Sequence, residues 1–203
     1  MKEYNDFEQN ESNEEGKSSQ LKKKSKKEDK GVLRELLDYV IIIAVVAGAV
    51  FLLTQFVVIN ARIPSSSMEN TISEGDRVFG NRLSYINSDP QRYDIVIFKY
   101  PDDESKLFIK RIIGLPGETV EIKNGKVYIN GSSEPLDDSF CPETPTGDFG
   151  PYVVPENSYF VMGDNREHSH DSRYWTNHFV SKDKILGKAG FRYWPFNKIG
   201  MVS

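Results

Sequence analysis

The sequence predicts a mainly β protein in which one N-terminal transmembrane helix precedes an antiparallel, β-barrel-like domain carrying a small β-ribbon excursion. Three observations predict it. From Tyr39 to Ile59 the chain reads YVIIIAVVAGAVFLLTQFVVI, without a single charge. Further on, runs rich in β-branched and aromatic residues recur, among them Asp94–Tyr100 and Leu107–Ile113. Gly, Pro and Asn-Gly turn signals separate them.

The apolar run of 21 residues matches a hydrocarbon core of ~30 Å at a helical rise of ~1.5 Å per residue. A buried core helix would be shorter and would show a polar face, which Thr54 and Gln55 alone do not make. A cleavable signal would end in small residues, whereas Ala61 is followed here by Arg62, Ile63 and Pro64. The segment is therefore expected to stay attached, as a transmembrane helix over residues 36–59.

Lys17, Lys22, Lys23, Lys24, Lys26, Lys27, Lys30 and Arg34 precede the run, against little beyond Arg62 just after it. Lys and Arg dominate topology, so the N-terminus is expected in the cytoplasm and residues 60–203 outside the cell membrane. Residues 1–35 hold mostly Glu, Asn, Ser and Lys; such a tail buries too little to offset chain entropy, so it is read as disordered. Its lysines suit anionic membrane lipids better than nucleic acid, and a net charge of −4 gives no argument for a polyanionic partner.

Residues 60–203 are enough for one ordinary domain. Asp94–Tyr100 and Leu107–Ile113 read as core strands, the second stopped by Gly114-Leu115-Pro116-Gly117. Thr119–Lys123 and Lys126–Ile129 alternate around Asn124-Gly125, a two-residue hairpin signal, so a ribbon and loop excursion is expected over about 119–157. Ser132 to Pro155 reads as irregular, and Tyr159–Met162 restores a strand.

Pro64-Ser65-Ser66-Ser67-Met68 sets hydroxyls close after the apolar run. A hydroxyl is a weak nucleophile until a base takes its proton. Lys110, in Phe108-Ile109-Lys110-Arg111, is the best candidate, provided burial lowers its pKa from ~10.4 so that the amine is neutral. On a strand, Phe108, Ile109 and Ile112 would enclose its stem. A surface lysine is the commoner fate.

A dense polar run, Gly163 to Arg173, follows the Tyr159–Met162 strand and looks like a loop presenting support residues. Asp171 and Arg173 could equally be a solvated surface pair. His168 and His170 open two further readings: a zinc site, for which no third ligand is evident, and a Ser67/His triad with Asp171 or Asp164 as orienter. The single cysteine, Cys141, cannot form an intramolecular disulfide and has no adjacent base.

Together these blocks resemble the bacterial type I signal peptidases, membrane-bound Ser/Lys proteases. The resemblance is carried by Pro64–Met68, Tyr93–Phe98, Ile109–Gly117, and Gly163–Arg166 with Asp171–Arg173, in that order behind an N-terminal anchor. It implies that Ser67 is the nucleophile and Lys110 the general base, with the Ser65 hydroxyl and the Ser67 N–H as oxyanion hole. Ser169 would orient the Lys110 amine, and Asp171 with Arg173 would brace the site. No metal or organic cofactor is needed. The implied substrates are exported preproteins whose signal peptides end in small residues, bound as an added strand against Ile63, Met68, Phe108 and Ile109. Such an enzyme would act at the outer surface of the cytoplasmic membrane, near the secretion translocon and in contact with membrane lipids, with no nucleic-acid partner.

One departure stands beside the nucleophile. After Ser-Met the family commonly has a variable residue and then Pro-Thr, where this chain has Glu69-Asn70-Thr71. Losing proline frees φ, and a carboxylate at Glu69 would favour protonated Lys110 if it pointed inward; it is expected to point away. The C-terminal Phe191–Phe196 aromatics read either as closing the core, the commoner role for most of them, or as dipping into the membrane interface where Trp and Tyr are favoured. Two other classes fit less well: an inactive membrane-tethered binding protein would not need both Ser67 and Lys110, and a self-cleaving Ser/Lys repressor should be soluble and carry a DNA-recognition helix.

Overall fold

The computed structural model describes residues 34–141 and 145–202. The polar tail expected over residues 1–35 therefore lies, apart from Arg34 and Glu35, outside the described residues. Arg34–Phe56 form one helix, α1, long and apolar enough to cross a membrane. The helix stops before the apolar run does. Val58 and Ile59 belong instead to a strand, β1 (Val58–Arg62), and Ile59 is buried in the β domain's core. Hydropathy alone does not separate a lipid-facing residue from a core-facing one, which is why the run reads as one segment.

The remaining strands are β2 (Arg77–Asn81), β3 (Ile95–Tyr100), β4 (Asp103–Gly114), β5 (Thr119–Lys123), β6 (Lys126–Ile129), β7 (Phe149–Val153), β8 (Ser158–Met162), β9 (Val180–Ser181), β10 (Ile185–Trp194) and β11 (Gly200–Met201). The larger sheet runs β1-β2-β10-β3-β4-β8-β9, with β11 on β10, and every pairing is antiparallel. It is open, with β1 and β9 at its ends. The mainly β, antiparallel expectation is met; in place of a barrel there is a sheet whose end strands, β1 and β9, are not paired with each other among the described residues.

β3 and β4 read as continuous apolar runs because they are buried on both faces. Ile95, Ile97 and Ile109 pack into one core cluster with Ile59, Ile63 and Met68. Val96, Phe98 and Ile112 point the other way, into a cluster with Tyr159, Val161 and Trp175, against which Phe108 packs. This alternation places Lys110 on the Phe108 face of β4, opposite Val96 in register.

The second sheet, β6-β5-β7, is the expected ribbon. Lys123 pairs with Lys126, so Asn124-Gly125 forms a two-residue turn, and both residues have positive φ (50° and 77°) as a type I′ hairpin requires. β7 falls inside the stretch expected to be irregular. Its sequence, FGPYV, carries Gly150 and Pro151, which mask a strand signal that pairing with β5 supplies from outside.

Candidate active site

Ser67 sits in a short 3₁₀ turn, Ser66–Met68, that leaves β1 through Ile63-Pro64-Ser65. Lys110 reaches it from the middle of β4, and its Nζ donates to Ser67 Oγ. Both side chains are buried, at 6% and 4% exposure. Burial pulls the Lys110 amine down to about 8, against the opposing pull of Asp171 and Asp164, while Arg173 reinforces the lowering. Nζ also lies 5.6 Å from the centroid of the Phe108 ring, one of the three strand neighbours expected around the lysine.

Ser65 Oγ lies 3.4 Å from Ser67 Oγ. Its side chain makes no capping bond to the turn it precedes. Asp171 and Arg173 form a buried pair, not a surface one: Arg173 Nε and Nη2 donate to the two carboxylate oxygens at 2.8 and 2.9 Å. Asp171 Oδ2 also accepts from Gly163 N at 3.0 Å. Ser169 is buried beside them, yet its Oγ has no hydrogen-bond partner among the described residues, so the expected bond to the Lys110 amine is not formed. A buried hydroxyl left unpaired is uncommon and leaves Ser169 with unused donor and acceptor capacity next to the site.

Several functional neighbours carried no separate signal in the sequence. Arg111 donates to both oxygens of Asp164, from Nε at 2.8 Å and from Nη2 at 2.7 Å, and Thr71 donates to Asp164 Oδ2 at 2.5 Å. Asn165 ties the polar loop to the serine turn, its N–H reaching Ser67 O at 3.2 Å and its Nδ2 reaching Ser66 O at 3.1 Å. These residues lie inside blocks already singled out, but their pairings join positions far apart along the chain. Only the fold supplies them.

A cleft of about 460 Å³ opens over Ser67 and Lys110. It is lined by Ile59 to Ser65 and Ser67, by Leu107 to Lys110 of β4, and by Ile97, His168 and His170. Of the expected contact residues, Ile63, Phe108 and Ile109 line it. Met68 does not: it is fully buried in the core cluster beneath, together with Ile63 and Ile109. Two strand edges flank the cleft. Among the described residues β1 pairs with β2 alone, and β8 pairs with β4 over Arg111–Gly114 alone, which leaves the Leu107–Lys110 edge open on that side.

The histidines take other partners than Ser67. His168 Nδ1 lies 3.2 Å from Asn165 Oδ1, and His170 Nε2 lies 3.5 Å from the Tyr100 hydroxyl. The Cys141 thiol is half-buried and burial pushes it up to about 12, far from a thiolate nucleophile.

The chain resembles known proteins along most of its length. The family described as "Signal peptidase, peptidase S26" matches residues 36–194. A "Probable signal peptidase I-2" of Synechocystis sp. is 44% identical over 147 residues, 70% of this chain and 65% of that protein, so this chain spans somewhat less than two thirds of its length. A "Signal peptidase I" of Bacillus amyloliquefaciens is 40% identical over 189 residues, 87% of this chain and 97% of the relative. A crystal structure of a signal peptidase I from Enterococcus faecalis V583 covers 50% of this chain at 38% identity, with a TM-score of 0.43. The family match begins in α1, takes in the serine turn, the Lys110 strand and the polar loop, and ends at the close of β10; this chain belongs to the signal peptidase, peptidase S26, family.

Proposed function

We propose that this protein is a membrane-anchored serine endopeptidase that removes signal peptides from exported preproteins by a Ser67/Lys110 dyad. The observation that carries the reading is the buried hydrogen bond between Lys110 Nζ and Ser67 Oγ at the floor of a cleft with two open strand edges. With a pKa near 8, a useful fraction of the amine is neutral close to neutral pH and can take the serine proton.

The chemistry follows from that geometry. Ser67 Oγ attacks the scissile carbonyl as its proton passes to Nζ, giving a tetrahedral oxyanion. The Ser65 hydroxyl and the Ser67 N–H stabilise that charge, which appears only in the transition state. Lys110 returns the proton to the leaving amine, and the mature protein departs with Ser67 acylated by the signal peptide. The neutral amine then activates water, which releases the signal peptide and restores the serine. Ser169, whose buried hydroxyl is unpaired in the resting site, takes the amine as a partner only once substrate is bound, and the Asp171–Arg173 pair braces the loop that carries it.

The substrate adds as a strand between β1 and the open edge of β4, its backbone pairing with both. Side chains alternate along such a strand. Those directed at Ile63, Ile97 and Ile109 meet a shallow apolar wall that favours small residues before the cut. The helix α1 serves as the transmembrane anchor, with the β domain from β1 onward as the catalytic domain outside the cell membrane, in reach of lipid and the translocon, and the residues before the helix in the cytoplasm. Cysteines introduced at exposed domain loops should react with an impermeant thiol reagent in intact cells, and one near Ser18 should not; the opposite labelling overturns the orientation.

The activity is tested by incubating the detergent-solubilised protein with a preprotein. Wild type should release the mature protein, and Ser67→Ala and Lys110→Ala should each abolish release to a similar extent, because the two act as one unit. A folded Lys110→Ala variant that still cleaves would remove the lysine from its role.

A further inference from the structure

The excursion between β6 and β7 returns to the main sheet around Asp138 and Phe140. There Asp138 accepts both terminal nitrogens of Arg166, each at 2.8 Å. Two residues on, the Phe140 ring lies 4.2 Å from the guanidinium of Arg111 and 5.8 Å from that of Arg166, in T-shaped contact with Tyr93. Both arginines are almost wholly buried, at 3% and 1% exposure. Each grips the polar loop behind Ser67. Arg111 holds Asp164, while Arg166 Nε donates to Gly163 O at 3.1 Å and Arg166 O accepts from Arg173 Nη2 at 2.7 Å. Gly163 and Arg173 in turn share the Asp171 carboxylate.

A buried guanidinium keeps one position only while its carboxylate stays in place. Among the described residues Asp138 is the one carboxylate in an ion pair with Arg166, and it comes from outside the main sheet. We infer that Asp138 and Phe140 are positioning residues: the excursion acts as a strut that clamps Arg166 and Arg111 and so holds the Gly163–Arg173 loop against Ser67 and Lys110. The inference rests on the Ser67/Lys110 reading of the site. Neither residue approaches the cleft; both act through the two arginines.

The test uses the full-length, detergent-solubilised protein carrying Asp138→Asn, Asp138→Glu or Phe140→Leu, the last keeping an apolar side chain so that folding is preserved. Displacing reacting groups by an ångström can cost ~10²-fold in rate, so Asp138→Asn should lower kcat about 10- to 100-fold while KM stays within about threefold. Asp138→Glu, which keeps the charge, should recover part of the loss. A loosened loop lets water reach Lys110, so the midpoint of the kcat–pH profile should move upward, and amide exchange over residues 163–173 should speed up. Loss of activity that only tracks a lowered melting temperature, with the pH midpoint unmoved, overturns the strut. So do wild-type loop exchange and kcat in Asp138→Asn and Phe140→Leu. Ser67→Ala, run alongside, judges the dyad separately: if it still cleaves, that reading fails, and loop exchange still decides whether the excursion holds the loop.

Discussion

Gly163 lies directly behind Ser67: a Cβ placed on it would come within 2.3 Å of the Ser67 carbonyl oxygen and equally close to Ser169 Oγ. The close approach allows the polar loop to lie on the serine turn, where Asn165 completes the contact through Ser67 O and Ser66 O. Gly163→Ala must therefore push Ser67, Ser169 or both out of position, since one of the obstructing atoms is backbone and cannot swing aside. Expected is a fall in kcat of ~10²-fold or more, with a lower melting temperature. Steady-state cleavage and thermal unfolding of the same preparation check both.

Lys110 links activity to pH in a definite direction. Its amine, held at about 8, must be neutral to act as base, so kcat should rise through that value and level off above it. Stability follows from the same shift. The folded state gives up the proton near 8 and the unfolded chain near ~10.4, so the unfolded chain binds more protons between them and stability rises with pH across that window. Below it the buried charge costs on the order of 3 kcal/mol. Lys110→Met should accordingly be inactive yet melt at a higher temperature than wild type at pH 7, with the difference shrinking toward pH 10. Equal melting temperatures at pH 7 would show that burial does not strain the lysine.

Asn70 has φ of 79°, a value proline cannot adopt. The chain therefore leaves the serine turn by a left-handed residue, a conformation that a proline at this position could not supply. Installing proline there should harm this protein. Asn70→Pro is expected to cost ~3 kcal/mol, whereas Asn70→Gly, which suits positive φ, should stay within ~1 kcal/mol of wild type. Denaturant unfolding of the two variants separates them, and a stable Asn70→Pro would contradict the left-handed turn.

What could be read in the sequence was local. The β5–β6 hairpin follows from Asn124-Gly125 alone, and the two core strands from runs buried on both faces. The lysine's surroundings follow from its place in such a run. What escaped depends on partners distant along the chain: β7 is a strand because β5 pairs with it, and Ile59 leaves the apolar helix because Ile63, Met68 and Ile109 offer it a core. The Arg111–Asp164 clamp joins two residues that appear in separate blocks, neither of which calls for the other. Met68 was expected at the cleft wall and lies beneath it, because side-chain direction within a 3₁₀ turn is not encoded in an apolar letter.

Ser65 tests whether the hydroxyl before the nucleophile serves the chemistry or the turn. It precedes the 3₁₀ turn in extended backbone (φ −146°, ψ 160°), its side chain does not cap that turn, and its Oγ faces Ser67 Oγ at 3.4 Å. Removing a cap would cost ~1 kcal/mol, but no such bond is made here, so Ser65→Ala should leave the melting temperature close to wild type. Its effect belongs to the transition state: kcat should drop roughly 10²–10³-fold with little change in KM. Ser65→Thr keeps the donor and should retain more activity. Single-turnover cleavage alongside thermal unfolding distinguishes the cases, and a Ser65→Ala variant with wild-type kcat would take the hydroxyl out of the oxyanion hole, leaving that charge to backbone N–H groups alone.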